Sequence, residues 1–225
     1  EANLADADLS GATLIADSNY GSATIDFTEA NLASADMSGS TLTAYAGYYA
    51  TIDFTEANLA SADLSGTALT ADGGYTATID FTEATLADAD MSGLTLTATA
   101  GSYDFGTGAT IDFAEANLAN ANLSGSRFTA DGGDATISFT DTTLADADLS
   151  GSALTAKSNY GAIIDFTEAN LAGADLSGSA LTADSSYGTA TIDFAEANLA
   201  DADLSGATLI ADSNYGSATI DFTEA

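Results

Sequence analysis

The sequence predicts an all-β chain wound as a four-sided parallel solenoid of about eight coils. Three observations lead there. First, a Thr-Ile-Asp-Phe-Thr phrase, met at Thr24–Thr28, recurs with its Phe at 27, 54, 81, 113, 139, 166, 194 and 222. Second, three further five-residue blocks follow each full phrase, so a coil holds 20 residues plus an insert of 6 to 12. Third, a period of five fits neither a 3.6-residue helix nor a simple strand alternation. It does fit short extended sides that bend once per block.

The blocks can be taken in order along the first complete coil. Thr24–Thr28 places Ile25 and Phe27 two residues apart, on the same side of extended backbone. Glu29–Ala33 and Ser34–Ser38 do the same with Ala30 and Leu32, and with Ala35 and Met37. Gly39–Thr43 adds Leu42. The small and large apolar residues therefore point inward, as do Ala7, Leu9 and Leu14 in the first coil. Gly11, Gly39, Gly66, Gly93, Gly125, Gly151, Gly178 and Gly206 hold one block position in all eight coils. Glycine there suggests a corner with an unusual φ or a close backbone approach. The fourth corner carries the insert, here Ala44–Ala50. Stacked coils lie about 4.8 Å apart, so eight make a rod roughly 38 Å long. Each coil buries its apolar column only against its neighbours.

Ala-Asn-Leu or Ala-Asp-Leu recurs in register, as at Ala2-Asn3-Leu4, Ala7-Asp8-Leu9, Ala30-Asn31-Leu32, Ala62-Asp63-Leu64 and Ala197-Asn198-Leu199. This resembles the pentapeptide-repeat family, whose pattern is A(D/N)LXX. The resemblance covers the whole chain except the inserts. It implies a right-handed quadrilateral β-helix with four blocks per coil. The insert at one corner of every coil is a departure from the family pattern.

Residues 1–30 and 196–225 are identical. The chain reads as one continuous solenoid over 1–225. The expectation is a piece of a longer array, or a subunit that stacks end to end, because an open end leaves strand edges and apolar core uncovered.

Composition removes whole classes of function. The chain has 34 acidic and 2 basic residues, a net charge of -32, and no Cys, His, Pro or Trp. There is no imidazole base, thiol nucleophile or zinc site of Cys and His. Two cations cannot neutralise phosphates, so direct nucleic-acid binding is not expected. No apolar run approaches 18 residues, so no membrane span is expected. Repeated Asp and Ser give no nucleophile with a base partner, and no enzyme is expected.

Equivalent outward positions form ladders. One runs Asp26, Asp53, Asp80, Asp112, Ser138, Asp165, Asp193 and Asp221; another runs Asp8, Asp36, Asp63, Asp90, Asn122, Asp148, Asp175 and Asp203. A third is Asn-rich, from Asn3 and Asn31 to Asn198, and a fourth starts at Glu29 and Glu56. Carboxylates 4.8 Å apart repel by roughly 0.9 kcal/mol per neighbouring pair even in bulk water. Cations or partial protonation relieve this, and oxygen-only ladders suit a hard divalent ion such as Ca²⁺. The alternative is a solvated acidic face that maintains solubility. No compact calcium loop is present.

All nine tyrosines lie in the inserts: Tyr20, Tyr45, Tyr48, Tyr49, Tyr75, Tyr103, Tyr160, Tyr187 and Tyr215. Each insert begins and ends with Ala, with Gly, Ser, Asn and Asp between, which favour turns. The expectation is a loop on the same edge of each coil and a ridge of tyrosine along the rod. Ala130–Ala135 lacks Tyr, and Ala98–Ala109 is the longest, with Tyr103 and Phe105. Tyr20, Tyr49, Tyr75, Tyr103, Tyr160, Tyr187 and Tyr215 are the candidate interface, since Tyr buries a large ring while its hydroxyl stays bonded. The alternative is that each ring folds back over its own coil.

The leading functional expectation is a structural β-solenoid filament, sheath or adhesin stalk at a microbial surface, extracellular, with itself as partner end to end and side by side. A second follows from the resemblance: some family members are acidic rods that imitate duplex DNA and bind DNA gyrase. A third is ice binding through the Thr24, Thr51, Thr78, Thr110, Thr136, Thr191 and Thr219 file, broken by Ile163. β-Branched Thr is equally expected as ordinary strand surface.

Overall fold

The computed structural model describes residues 2–101 and 107–225. Among them every regular element is a strand. In chain order these are β1 (Thr13–Ser18), β2 (Ala23–Asp26), β3 (Thr41–Ala46), β4 (Tyr49–Asp53), β5 (Ala68–Gly73), β6 (Thr76–Asp80) and β7 (Thr95–Ala100). There follow β8 (Gly108–Asp112), β9 (Arg127–Ser138), β10 (Ala153–Asp165), β11 (Ala180–Ser185), β12 (Thr189–Asp193), β13 (Thr208–Ser213) and β14 (Ala218–Asp221). No helix among the described residues is long and apolar enough to cross a membrane.

All ladders are parallel, and each coil pairs with the next in register. Leu14 lies over Leu42 and Leu42 over Leu69, while Ile25 lies over Ile52 and Ile52 over Ile79. Strands β1, β3, β5, β7, β11 and β13 build one side of the rod. Strands β2, β4, β6, β8, β12 and β14 build the next, and β9 and β10 run through both. The other two sides are shorter and pair through single residues, Asn3 with Asn31 and Asp8 with Asp36 in the first two coils. Parallel crossovers within one sheet are right-handed almost without exception.

Three corners per coil are four-residue turns. Ala30, Ala35 and Ser40 donate their N–H groups to the carbonyls of Phe27, Leu32 and Met37 at 2.9, 3.0 and 3.1 Å. The third residue of each turn is left-handed: Glu29 at φ 55°, Ser34 at 57° and Gly39 at 61°. The repeated glycines are therefore corners, as expected. Two corners of three nevertheless use mostly Glu, Ser, Asp or Asn, because Asx and backbone hydrogen bonds hold the turn.

The interior is a column one side chain deep. Phe54, Phe81, Phe113, Phe139, Phe166 and Phe194 are completely buried. Their rings stack with centroids 4.8–5.0 Å apart and planes within 3° of parallel. Leu32, Leu59 and Leu86, with Met37 and Met91, fill the next corners. Leu4, Leu9, Leu14, Leu199, Leu204 and Leu209 are only partly buried, in the first and last coils.

The inserts are not loops throughout. Their arms continue the strands, and in the fifth and sixth coils β9 and β10 pass straight through. The inner positions explain this: Ala44, Ala46 and Ala50 alternate inward and are buried, and Gly73 and Gly132 continue the pattern. Side chains this small let the two arms close on each other. Among the described residues, short tips remain as turns at 19–22, 47–48, 74–75, 186–188 and 214–217.

Candidate interaction surfaces

The acidic ladders occupy the outward positions assigned to them, but their first task is local. In Asp26, Asp53, Asp80, Asp112, Asp165, Asp193 and Asp221 the carboxylate accepts the backbone N–H two residues on, at 2.8–2.9 Å. Asp8, Asp36, Asp63, Asp90, Asp148, Asp175 and Asp203 do the same at 2.8–3.0 Å. Each is an Asx cap that satisfies the N–H entering a corner. This is why the repeat holds Asp or Asn at these positions in every coil but the fifth, where Ser138 caps Thr140 at 3.4 Å.

These hydrogen bonds favour the charged form. The Ser10 hydroxyl holds Asp8 below the usual carboxylate range, as the Ser177 hydroxyl does for Asp175 and the Thr223 hydroxyl for Asp221. The Thr28 backbone N–H does so for Asp26. Among the described residues no group of three or more acidic side chains converges on one point to hold a metal ion. In a ladder the carboxylates stand in line instead, each turned toward its own corner.

The Asn-rich ladder needs no cation. Asn31 Nδ2 donates to Asn3 Oδ1 at 3.2 Å, Asn58 to Asn31 at 3.3 Å and Asn198 to Asn170 at 3.0 Å. Asn122 in the acidic ladder likewise donates to Asp90 at 3.2 Å while capping Ser124. A single Asn thus relieves the repulsion that two Asp would suffer.

Seven of the described tyrosines face outward. Tyr20 is 91% exposed, Tyr215 81% and Tyr187 64%; Tyr45, Tyr48, Tyr49 and Tyr75 are about half exposed. They do not form one even ridge of loop residues. Tyr45, Tyr49 and Tyr160 sit in β3, β4 and β10. Tyr48 stacks on Tyr75 at 5.5 Å, with Tyr49 6.4 Å from each. Tyr187 stacks on Tyr215 at 5.6 Å. Between these two patches the short Ala130–Ala135 insert carries no ring, and Tyr160 is only partly exposed. Tyr103 and Phe105 lie outside the described residues.

The gap in the edge holds Lys157, the sole lysine. It is in register with Asp131 on one side and Asp184 on the other, and reaches Asp131 at 3.9 Å. Gly132, Ser158, Asn159 and Ser186 complete a shallow polar notch there. An ion pair this exposed contributes at most about 1 kcal/mol.

The Thr24 file is in register from coil to coil, with Ile163 as its break. Besides the partial file of Thr28, Thr55, Thr82, Thr140, Thr167 and Thr223 that the sequence offers, the structure brings a further Thr file together. On the neighbouring side Thr43, Thr70, Thr97, Thr129, Thr155 and Thr182 stack in register between Ile15 and Ile210. The signal for it in the sequence is the out-in-out alternation of Thr41-Leu42-Thr43 and Thr95-Leu96-Thr97.

The family model for pentapeptide repeats matches residues 111–130 and 164–183. Among curated protein sequences none matches the chain significantly. Solved structures do resemble it. HetL, a pentapeptide repeat protein involved in heterocyst differentiation regulation from the cyanobacterium Nostoc sp. strain PCC 7120, is 19% identical with a TM-score of 0.28. That alignment covers 92% of this chain and 86% of HetL. A pentapeptide repeat protein from the Arabidopsis thaliana thylakoid lumen is 24% identical with a TM-score of 0.21, over 65% of this chain and 63% of that one. QnrB1, a plasmid-mediated fluoroquinolone resistance protein, is 15% identical with a TM-score of 0.28, over 93% and 91%.

Proposed function

With pentapeptide repeats matched at residues 111–130 and 164–183 and every described coil in register, we propose that this chain is a non-enzymatic structural rod of the pentapeptide-repeat kind that associates side by side through its tyrosine-bearing edge. The observation that carries this reading is the outward stacking of Tyr48 on Tyr75 and of Tyr187 on Tyr215. Rings that covered their own coil would be buried; these are from about half to four-fifths exposed. Stacked tyrosines offer a neighbouring rod a large apolar contact at little entropic cost, with hydroxyls free to bond across it.

The acidic sides have a complementary role in this reading. A net charge of -32 makes rods repel one another everywhere but along selected strips. A place in a microbial surface filament or stalk suits an acidic, cysteine-free rod. The experiment is to change Tyr48, Tyr75, Tyr187 and Tyr215 to Ser and image the protein by electron microscopy. Single rods with unchanged circular dichroism, in place of bundles, are expected. Bundles that survive the change rule the tyrosine edge out.

A further inference from the structure

One side of the rod differs from all others. On the side built by β1, β3, β5, β7, the first halves of β9 and β10, β11 and β13, two adjacent outward files contain no carboxylate. Their sixteen positions hold Thr and Ala, with Ile15, Ile210 and Arg127. Ile15 is 67% exposed. In a chain of net charge -32, such a strip is where a second rod approaches against least repulsion.

We propose that this Thr side is a homodimer interface, joining two copies of the chain in parallel with each coil facing its counterpart. Eight coils 4.8 Å apart and six strand residues across give a footprint on the order of 800 Å². A stable interface needs about 800 Å² from each partner. β-Branched Thr files are stiff at χ1, so little side-chain entropy is lost on contact.

Charge placement selects the parallel arrangement. The same strands carry a third file, four residues beyond the first, that runs Asp17, Tyr45, Asp72, Thr99, Asp131, Lys157, Asp184 and Asp212. With the two-fold axis parallel to the rod and over the Thr43 file, the first file of one copy meets the third of the other. Asp17 then faces Thr13, Asp72 faces Ala68, and Asp131 faces Arg127. Arg127 and Asp131 are four residues apart on an extended strand, about 13 Å, so they do not pair within one chain. Turning one rod end for end instead sets Asp17 against Asp212, as well as Asp72 against Lys157, and leaves Arg127 without Asp131. Parallel pairing has no such like-charge contact, and the register holds however many coils the rod contains.

Sedimentation velocity of the whole chain tests this. A monomer–dimer equilibrium is expected, tighter at 0.5 M than at 0.01 M salt, because the outer carboxylates still repel and salt shortens their reach. Thr97→Asp with Thr129→Asp should weaken the dimer by more than about tenfold, since like charges across an interface cost several kcal/mol. Thr78→Asp with Thr110→Asp, on the adjacent side, should leave it unchanged. Arg127→Glu should weaken it, and adding Asp131→Arg should restore it. The four Tyr→Ser changes should leave this dimer intact while abolishing bundles, so the two surfaces fail separately. A chain monomeric at every salt concentration overturns the proposal, as does a dimer indifferent to Thr97 and Thr129. A monomer with thermal hysteresis would assign the Thr side to ice instead.

Discussion

The Asp53 carboxylate accepts the N–H of Thr55 at 2.9 Å and stands in register between Asp26 and Asp80. Capping and repulsion therefore pull in opposite directions on one side chain. Asparagine keeps the cap and removes the charge, so Asp53→Asn should leave the thermal midpoint unchanged or raise it. Asp53→Ala loses the cap and should cost about 1 kcal/mol. Denaturant unfolding of both variants measures the difference; equal destabilisation would show that the cap is unimportant. The pH dependence follows from the same bonds. Asp8, Asp26, Asp175 and Asp221 have folded values below the ordinary 3.8. They bind fewer protons folded than unfolded, so their stabilisation is present above 3.8 and lost as pH falls through the lowered values. The melting temperature should fall as the solution is acidified below 3.8; a midpoint still rising there would mean that relief of repulsion outweighs the caps. Two glycines separate conformational from steric need. Gly66 has φ 63° and open space where a Cβ would stand, so Gly66→Ala should cost only about 1–2 kcal/mol. At Gly74 a Cβ would strike the carbonyl of Gly47 in the coil below. Gly74→Ala must push neighbouring coils away from each other and should cost clearly more in the same measurement.

At the scale of the element, the coil is legible in the sequence and the insert is not. Ile25, Phe27, Leu32, Met37 and Leu42 announce themselves as inward by their spacing, and all lie in the core or pack against it. The insert reads as a loop because Gly, Ser and Asn favour turns when taken singly. Here the arm of the next coil lies parallel to it and supplies the hydrogen bonds that a lone segment lacks. The same cooperation governs the Phe stack. Phe113 lies 4.8 Å from Phe81 and 5.0 Å from Phe139, with Phe128 tilted against it at 5.8 Å. Phe113→Ala should cost about 3–5 kcal/mol. Hydrogen exchange should then show protection lost first in the coils on either side, since each coil contacts only its neighbours. Uniform loss along the rod would contradict that quasi-one-dimensional picture.

For the whole molecule, four sides divide the work. Ladders of capped carboxylates and paired asparagines keep the short sides in water, while the tyrosine patches offer exposed rings and two files of the Thr side carry no carboxylate. The acidic ladders are legible as ladders, yet their capping role is not, because it depends on where the backbone bends. The tyrosine edge is legible as an edge, but its break at the fifth coil into two patches depends on strands that pass through the insert. The measurement that bears most directly on the account is cryo-electron microscopy of the protein at physiological ionic strength. Rods lying side by side, with an axial repeat near 4.8 Å and tyrosine edges inside the contacts, are the predicted result. Rods that remain single at every concentration, with those edges bare, would contradict it.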